Sequence, residues 1–338
     1  VFGSRIARQL AGDPRFRLTL AGRQRASLAA LRESLGDPSV QLAALDVAAA
    51  GLAEALAALR PQLVIHAAGP FQAQDYRVAE ACLACDSDYI DLADGRDFVS
   101  GIGRLDGRAK AAGRLLVSGA STVPAFSSAV VDALLPRFRA LETIEHAISP
   151  GNRTPRGDAT VAAILGYCGR PLRLWRDGRW QRGHGWMSTR RQAFPFGRRW
   201  VGLCDVPDLE LFPPRYPGVR GVAFRAGLEL RRLHFGTLAA AWLVRLGLIR
   251  DLARHAPTLR RISEWFLGAG SDVGGMVVEL AGRDMQGKPL RLRWSLSATA
   301  GDGPQIPATP AVVLARKLAD GALSARGAMP CMGLFTLD

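Results

Sequence analysis

Apolar and amphipathic segments alternate through the first third of the chain. The apolar segments have the length of buried strands and lie at 16–20, 40–45, 62–67, 89–92 and 114–117. The amphipathic segments repeat apolar residues at helical spacing and lie at 3–12, 25–35, 50–59 and 104–113, with a further one opening near Gln74 and Asp75. Strands that alternate with helices predict a parallel, doubly wound α/β sheet.

Beyond about residue 125 the pattern changes. All seven tryptophans lie there, among longer stretches rich in proline, glycine and arginine. Asp177-Gly178 predicts a hairpin turn, and Gln286-Gly287-Lys288 predicts another between strands 276–283 and 290–298. This region reads as α+β with an antiparallel sheet. Thr309–Ala319 reads as a closing helix with Pro310 in its first turn.

These changes divide the chain into three parts. We expect a doubly wound domain over 1–125, an inserted α+β domain over 126–303, and a helix and tail over 304–338 that return to the first domain. The chain opens at Val1 directly before a helix. We therefore expect that the first strand of the sheet is missing from this sequence.

Segment 233–249 is the longest apolar run. Arg245 interrupts it, so it is too short and too charged to predict a membrane span. We expect a buried helix. The alternative is a helix on a membrane surface or at a dimer interface, because arginines border the run at 231, 232, 245, 250 and 254.

The net charge of +14 comes almost wholly from arginine, since the chain has three lysines. An anionic partner and an arginine-rich coding bias both explain it. The arginines are scattered without a dense tract of interleaved aromatics, which excludes nucleic acid as the expected partner.

Cys82 and Cys85 form a C-x-x-C inside a predicted helix. The chain has no second such pair, and no histidine lies at ligand spacing. We therefore read the pair as thiols packed in the core in the reducing cytoplasm, and we predict no metal site.

A dinucleotide-binding sheet needs glycine where the first helix begins, so that the cofactor's pyrophosphate approaches the helix N-terminus. Phe2 and Gly3 stand at that point. Twenty residues later, Arg23 follows the next strand, where an arginine suits the 2′-phosphate of NADP and an acidic residue would suit NAD. Ser27 adds a hydroxyl. The sequence predicts NADP in preference to NAD.

Two later loops extend the predicted cofactor site. Asp46-Val47 follows the apolar segment 40–45, where Asp46 either accepts from the amine of an adenine ring or caps a helix. Ala68-Gly69-Pro70-Phe71 follows the next strand and would pass beneath the ribose and nicotinamide.

The motifs Ala21-Gly22-Arg23, Asp46-Val47, Ala68-Gly69-Pro70-Phe71 and Tyr89-Ile90-Asp91-Leu92, the last preceded by Cys82, occur in an order that resembles the saccharopine dehydrogenase family. Ser118-Gly119-Ala120 looks like the segment that leads out of the family's nucleotide domain, and places Gly119 at the cofactor. Residues 270–338 are similar to the tail of bacterial members of unassigned substrate. The resemblance implies a Rossmann NADP-binding domain and an inserted domain for substrate and dimerisation, hence a homodimer.

Hydride transfer needs one group that carries a proton. Asp91 ends a strand at the cofactor edge with Tyr89 beside it, and Asp94 follows. His184 lies between glycines in the second domain and could swing over the nicotinamide, although a surface turn also explains it. A structural cap or salt bridge is the alternative for the aspartates.

Arg153 and Arg156 could bind a substrate carboxylate. No tyrosine is followed four residues on by lysine, which excludes the short-chain dehydrogenase mechanism. We predict an NAD(P)-dependent oxidoreductase that transfers a hydride between NADP(H) and a carbonyl or imine substrate of unknown identity. The alternative is a non-catalytic NADP-binding sensor or scaffold.

Overall fold

A computed structural model describes residues 2–72, 74–155 and 157–337. The strands are β1 (Thr19–Gly22), β2 (Gln41–Ala44), β3 (Leu63–His66), β4 (Asp88–Asp91), β5 (Leu115–Ser118), β6 (Ala140–Ser149), β7 (Pro171–Arg176), β8 (Arg179–His184), β9 (Arg190–Phe194), β10 (Gly197–Leu203), β11 (Gly221–Ala226), β12 (Gly274–Arg283), β13 (Pro289–Ala298) and β14 (Gly327–Pro330). The helices are α1 (Phe2–Leu10), α2 (Arg25–Leu35), α3 (Leu52–Leu59), α4 (Arg77–Ala84), α5 (Arg96–Ser100), α6 (Asp106–Ala111), α7 (Ser127–Leu134), α8 (Asp158–Tyr167), α9 (Asp208–Arg215), α10 (Arg231–Arg245), α11 (Ala256–Glu264) and α12 (Thr309–Ala319). Shorter helical turns lie at Ile102–Leu105, Thr122–Phe126, Leu135–Arg137, Ala253–His255 and Gly303–Ala308.

The first part of the chain forms parallel sheets covered by helices. Among the residues described, β1 pairs with β2, and a second sheet has the order β14-β5-β4-β3 with every neighbour parallel. The predicted α/β fold of Rossmann type is confirmed. Alternate residues of β5 point to opposite sides of the sheet, because Leu115 and Val117 join one hydrophobic cluster and Leu116 joins another. Burial on both faces explains why its strands are continuously apolar.

The last part of the chain packs on this same sheet. The residues Ala311, Val312, Leu314 and Ala315 of α12 share a cluster with Ile90 of β4. β14 then pairs with β5 in parallel, with Gly327 opposite Leu115. Gly327 has a φ of 113°, and a Cβ there would collide with the Asp106 carboxylate, so the position requires glycine.

Several bounds differ from the prediction. β1 begins at Thr19, although Phe16 and Leu18 precede it and pack into the core. The helix expected near Gln74 begins only at Arg77. The predicted helix 104–113 is divided into the turn at Ile102–Leu105 and α6, and α5 was not predicted. Glycines at 101 and 103 weaken a continuous helix in this stretch.

The inserted part contains a mixed sheet. Its order is β13-β12-β6-β11-β10-β9, with β7 and β8 attached through β11. Both predicted hairpins are present, and the Asp177-Gly178 turn has a positive φ at both residues. The expectation of a wholly antiparallel sheet is wrong at one pair: β6 and β11 run parallel, from Thr143 opposite Gly221 to Ile148 opposite Ala226. The chain between β6 and β11 contains α8, the strands β7 to β10 and α9, and it brings β11 back beside β6.

The expectation that segment 233–249 is a buried helix is wrong. α10 buries only His234 and Ala241 among its fifteen residues, and Trp242 and Leu243 are exposed. The sequence showed an apolar run but not which side of it packs. Within the three described ranges, no helix is both long enough and apolar enough to cross a membrane.

The cysteines are unpaired thiols. Cys82 is buried in α4, and burial raises the pKa of its thiol. Cys85 lies just beyond the helix, with Sγ 3.3 Å from the Ser87 hydroxyl. Across the described residues, no group of three or more metal-binding side chains is arranged around a common point.

Candidate functional site

Three neighbouring parallel strands end at one edge of the larger first-domain sheet. His66 ends β3 opposite Asp91, which ends β4, and β5 ends beside them at Ser118. The loops that leave these strands therefore share the carboxyl edge of the sheet, where doubly wound folds bind ligands.

Asp91 ties the loops after β4 and β5 together. One carboxylate oxygen accepts hydrogen bonds from the backbone N–H of Ala93 at 2.9 Å, the backbone N–H of Gly119 at 2.8 Å, and the Ser118 hydroxyl at 3.0 Å. The side chain is fully buried, and burial raises its pKa to about 6. Gly119 has a φ of 80°, and a Cβ there would collide with Pro124.

Tyr89 lies beneath this edge. Its hydroxyl is 3.1 Å from Nδ1 of His66, and both side chains are buried. Burial and the neighbouring Asp91 charge raise the pKa of Tyr89 well above its usual value. Burial lowers the pKa of His66 to about 4, so the imidazole is neutral near pH 7.

The loop Ala68–Phe71 is held from both sides. Phe71 is buried against the His66 ring at 5.1 Å and the Phe98 ring at 5.5 Å. The Gln74 amide donates to the carbonyl oxygens of Ala68 at 2.7 Å and Pro70 at 2.9 Å. These anchors leave Ala68 and Pro70 exposed and Gly69 partly exposed at the edge.

α1 begins beside this loop. A Cβ added to Gly3 would lie 3.5 Å from the Cβ of Ala67, so the helix N-terminus and the end of β3 are in close contact. Phe2 packs at the margin of the cluster that contains Ile6 and Leu10.

The other predicted cofactor residues lie at the carboxyl ends of β1 and β2. Arg23 follows Gly22 and is exposed, and within the described chain it makes no hydrogen bond or ion pair. Ser27 is exposed on α2, where its hydroxyl donates to the Gln24 side chain at 3.1 Å. The strands pair with Gly22 opposite Ala44, which brings the loop of Asp46 beside that of Arg23.

Asp46 and Val47 divide between surface and core. Asp46 is exposed and accepts from the Ala48 N–H at 3.0 Å, so it caps a turn, whereas Gly51 precedes α3 as its N-cap. Val47 packs against the cluster of α3 and α4.

A group that the sequence analysis mostly missed lies where the second domain meets this edge. Asp94 accepts a hydrogen bond from Gln72 at 3.0 Å, and burial raises its pKa. The Tyr167 hydroxyl lies 2.9 Å from Sγ of Cys204, and Asp94 is near enough for its charge to raise the pKa of both. No local sequence motif predicts the group of Asp94, Tyr167 and Cys204, because Asp94 and Tyr167 come from different domains.

Arg96 joins the domains next to this group. Its guanidinium contacts Glu210 at 2.7 Å and Asp205 at 3.2 Å, and donates to the Arg173 carbonyl at 2.9 Å. The side chain is 8% exposed. Burial raises the pKa of Asp205, although Arg96 opposes that shift. The sequence analysis did not single out Arg96.

The remaining candidates lie elsewhere. His184 ends β8 opposite Pro171, so it is in a strand and not on the flexible stretch that the flanking glycines suggested. Burial and the charges of Arg245 and Arg182 lower the pKa of His184, and neither Asp91 nor Asp94 contributes to that shift. Arg153 donates to the Gly268 carbonyl at 3.3 Å, and Arg156 lies outside the described residues.

A parallel sheet whose carboxyl edge carries glycine-containing loops is the architecture of dinucleotide-binding domains. Residues 1–117 match the family model of the saccharopine dehydrogenase NADP binding domain. The resemblance predicted from the motifs is therefore confirmed over this part of the chain. No curated protein sequence matches the chain.

Solved structures resemble the whole chain. Apo saccharopine dehydrogenase (L-Glu forming) from Saccharomyces cerevisiae has 13% identity and a TM-score of 0.67, over 98% of this chain and 92% of that one. Homospermidine synthase from Legionella pneumophila, in complex with NAD, has 10% identity and a TM-score of 0.59, over 97% and 84%. Amine dehydrogenase from Mycobacterium smegmatis has 12% identity and a TM-score of 0.56, over 98% and 91%. At these identities the likeness shows the fold alone.

Proposed function

We propose that the protein is an NADP-dependent oxidoreductase that transfers a hydride between the nicotinamide and the carbon of a carbonyl or imine. The observation that carries the proposal is the exposed, unpaired Arg23 at the end of β1, in a domain matched over residues 1–117 by an NADP-binding family model. A guanidinium there suits a 2′-phosphate, which it can contact through two hydrogen bonds.

The residues at the edge fit a dinucleotide. The contact between Gly3 and Ala67 supports a pyrophosphate position near the start of α1, with Phe2 beside it. Ser27 would assist Arg23. Asp46 and Val47 would flank the adenine, and the loop Ala68–Phe71 with Gly119 would line the nicotinamide end. The bound nucleotide supplies the hydride, and the protein supplies orientation.

The proton is best carried by a group that a substrate can reach at the carboxyl edge of the sheet. Full burial of Asp91 and Tyr89 favours a positioning role for both, because a substrate cannot touch them without moving the loops. Asp94 is partly exposed beside Gln72, and its raised pKa favours a carboxyl that exchanges protons nearer neutral pH. The Tyr167 hydroxyl, whose pKa is raised further by burial, stays protonated and would donate a hydrogen bond to the substrate.

Turnover distinguishes these roles. We would follow NADPH oxidation with aldehydes, ketones, cyclic imines and mixtures of 2-oxo acids with amines. Asp94→Asn should lower kcat about 100-fold or more while leaving the NADPH Kd unchanged. The exposed Asp97, three residues on, gives the matched control Asp97→Asn, which should keep the wild-type rate.

Two outcomes would count against the proposal. Equal rates for Asp94→Asn and the control would remove Asp94 from catalysis. Tight NADPH binding with no turnover across all substrate classes would favour the non-catalytic sensor or scaffold. A homodimer and a cytoplasmic location stay predictions drawn from the resemblance and the thiols.

A further inference from the structure

Apolar side chains are exposed together on one face of α10. Most of the exposed large apolar side chains in the described ranges fall between residues 235 and 267. On α10 they lie at Phe235, Trp242 and Leu243, and the row continues past the helix end to Leu246 and Leu248. We call these five residues the α10 face.

Four of the five residues of the α10 face have the spacing of one side of a helix, and Leu248 lies in the turn beyond the helix end. Trp242, Leu243 and Leu246 follow Phe235 by seven, eight and eleven positions, which a period of 3.6 residues places on one stripe. Leu246 and Leu248 are 66% and 71% exposed. A group of exposed apolar side chains on one side of a helix is typical of an interaction surface.

Other residues of α10 attach the helix to the second domain. His234 and Ala241 are buried, and Leu238 and Val244 pack against the large core cluster. The Trp186 indole N–H donates to the His234 carbonyl at 3.2 Å. The α10 face is therefore presented by a helix already fixed in place, and it does not depend on unfolding.

Arginines occur along the segment that carries the α10 face, with Glu229 and Asp251 just outside it. Residues 231–250 contain four arginines, at 231, 232, 245 and 250, and no acidic residue. The Arg245 guanidinium lies 5.0 Å from the Trp242 ring. A guanidinium beside an interfacial tryptophan can keep its charge at the level of lipid phosphates while the ring enters the acyl boundary.

We propose that the α10 face docks the protein on an anionic lipid surface, with α10 lying parallel to the membrane plane. Leucine, phenylalanine and tryptophan on one side with arginine at the rim is the composition of interfacial helices. The fifteen residues of α10 span about 22 Å, which is less than the hydrocarbon core and excludes insertion across it. The net charge of +14 adds a long-range attraction to anionic headgroups.

A second copy of the chain fits the α10 face less well. A two-fold interface would bring the patch onto itself and set Arg231, Arg232, Arg245 and Arg250 against their own copies without an acidic residue from this segment. Like charges facing each other across an interface oppose association.

Flotation with vesicles tests the proposal. The full chain should float with vesicles of equal parts phosphatidylcholine and phosphatidylglycerol and should stay behind with phosphatidylcholine alone. The Trp242 emission should shift to the blue on binding, and Trp242→Phe should remove that part of the shift. Added salt should weaken binding.

Two double variants separate the apolar from the charged contribution. Leu246→Ser with Leu248→Ser should lower the partition coefficient between vesicle and solution at least about tenfold, because two apolar side chains that would be buried in the lipid are replaced by polar ones. Met285→Ser, which changes an apolar side chain 61% exposed in the β12–β13 turn, is the matched control and should bind like wild type. Arg231→Gln with Arg232→Gln should weaken binding to the anionic vesicles. Arg17→Gln with Arg291→Gln, which changes two exposed arginines elsewhere on the chain, should weaken it less.

Three results would overturn the proposal. The first is wild-type protein that binds neither vesicle type. The second is a leucine variant that floats as well as the Met285→Ser control, which would show that the binding is only a diffuse attraction between charges. The third is a dimer in sedimentation that the leucine variant dissociates, which would make a second copy the occupant. None of these results bears on nucleotide binding.

Discussion

At the scale of single residues, Asp91 shows how burial converts a charged side chain into a structural tie. Three donors converge on one carboxylate oxygen. Gly119 can adopt its position there because it has no Cβ, which would otherwise collide with Pro124. The same geometry leaves Asp91 without direct access to a substrate. Its tie to Gly119 and Ala93 instead fixes the loops that would line a nicotinamide.

Stability should depend on pH through Asp91. Its pKa in the folded protein, about 6, lies above its usual 3.8, so the folded state binds the proton more tightly. The stabilisation is therefore fully present below about pH 4 and is lost as the pH rises through about 6. Relative to Asp91→Asn, the wild type should lose about 2–3 kcal/mol of unfolding free energy across that window.

Urea unfolding of wild type and Asp91→Asn from pH 4 to pH 7 measures this change in unfolding free energy, with Asp97→Asn as the control. Asparagine keeps the acceptor oxygen, so Asp91→Asn should fold, whereas Asp91→Ala should lose the loop contacts at every pH. Parallel stability curves for wild type and Asp91→Asn would contradict the raised pKa.

At the scale of elements, α5 connects the two domains through Arg96. Its nearly buried guanidinium satisfies Glu210 on α9, Asp205 after β10 and a carbonyl of β7. Asp205 directly follows Cys204, so the ion pairs of Arg96 lie beside the group formed by Asp94, Tyr167 and Cys204 and help to position it.

Arg96→Met should lower the unfolding free energy by about 2–3 kcal/mol, because two carboxylates lose a partly buried partner. Arg108 pairs with Glu80 at 2.9 Å on the exposed surface, so Arg108→Met is a matched control that should cost under about 1 kcal/mol. Denaturant titration compares them. Equal losses in the two variants would show that Arg96 behaves as a surface ion pair.

The elements also show what a sequence can and cannot predict. The strands β3 to β5 can be predicted because burial on both faces makes them short apolar runs. The hairpin at Asp177-Gly178 can be predicted because its turn needs residues that tolerate a positive φ. The parallel pairing of β6 with β11 joins residues about eighty positions apart and leaves no local pattern. The exposure of α10 was hidden for the same reason, since an apolar run does not show which side packs.

The candidate site divides in a similar way. Arg23, Gly3 and the loop Ala68–Phe71 could be predicted because each follows or opens an element at a spacing that nucleotide binding requires. The contact of Tyr167 with Cys204 beside Asp94 could not, because it depends on how two domains meet. The domain bounds 1–125, 126–303 and 304–338 stay predictions.

At the scale of the whole molecule, Phe126 lies where the cores of the two domains meet. Its ring is 5.6 Å from Trp294 of β13 and 5.7 Å from Phe335 near the chain end. It packs against the main cluster of each domain. We infer that this ring couples the unfolding of the two domains.

Phe126→Ala should therefore lower the unfolding free energy by about 2–3 kcal/mol and separate one calorimetric transition into two. Phe16 packs only against the first-domain cluster, so Phe16→Ala should destabilise that domain without removing the bridge. Phe126→Leu should restore most of the coupling. A single sharp transition in Phe126→Ala would mean that other contacts couple the domains.

The most direct test of the central claim is the binding of NADPH against NADH, followed by fluorescence titration, in wild type and Arg23→Asp. We expect wild type to prefer NADPH, and the variant to weaken NADPH binding about 10- to 100-fold with little change for NADH. Arg17→Asp makes the same charge change just before β1, at the opposite end of the strand from Arg23, and should leave both affinities unchanged. If neither nucleotide binds the wild type, or Arg23→Asp weakens both alike, the account of an NADP-dependent oxidoreductase is contradicted.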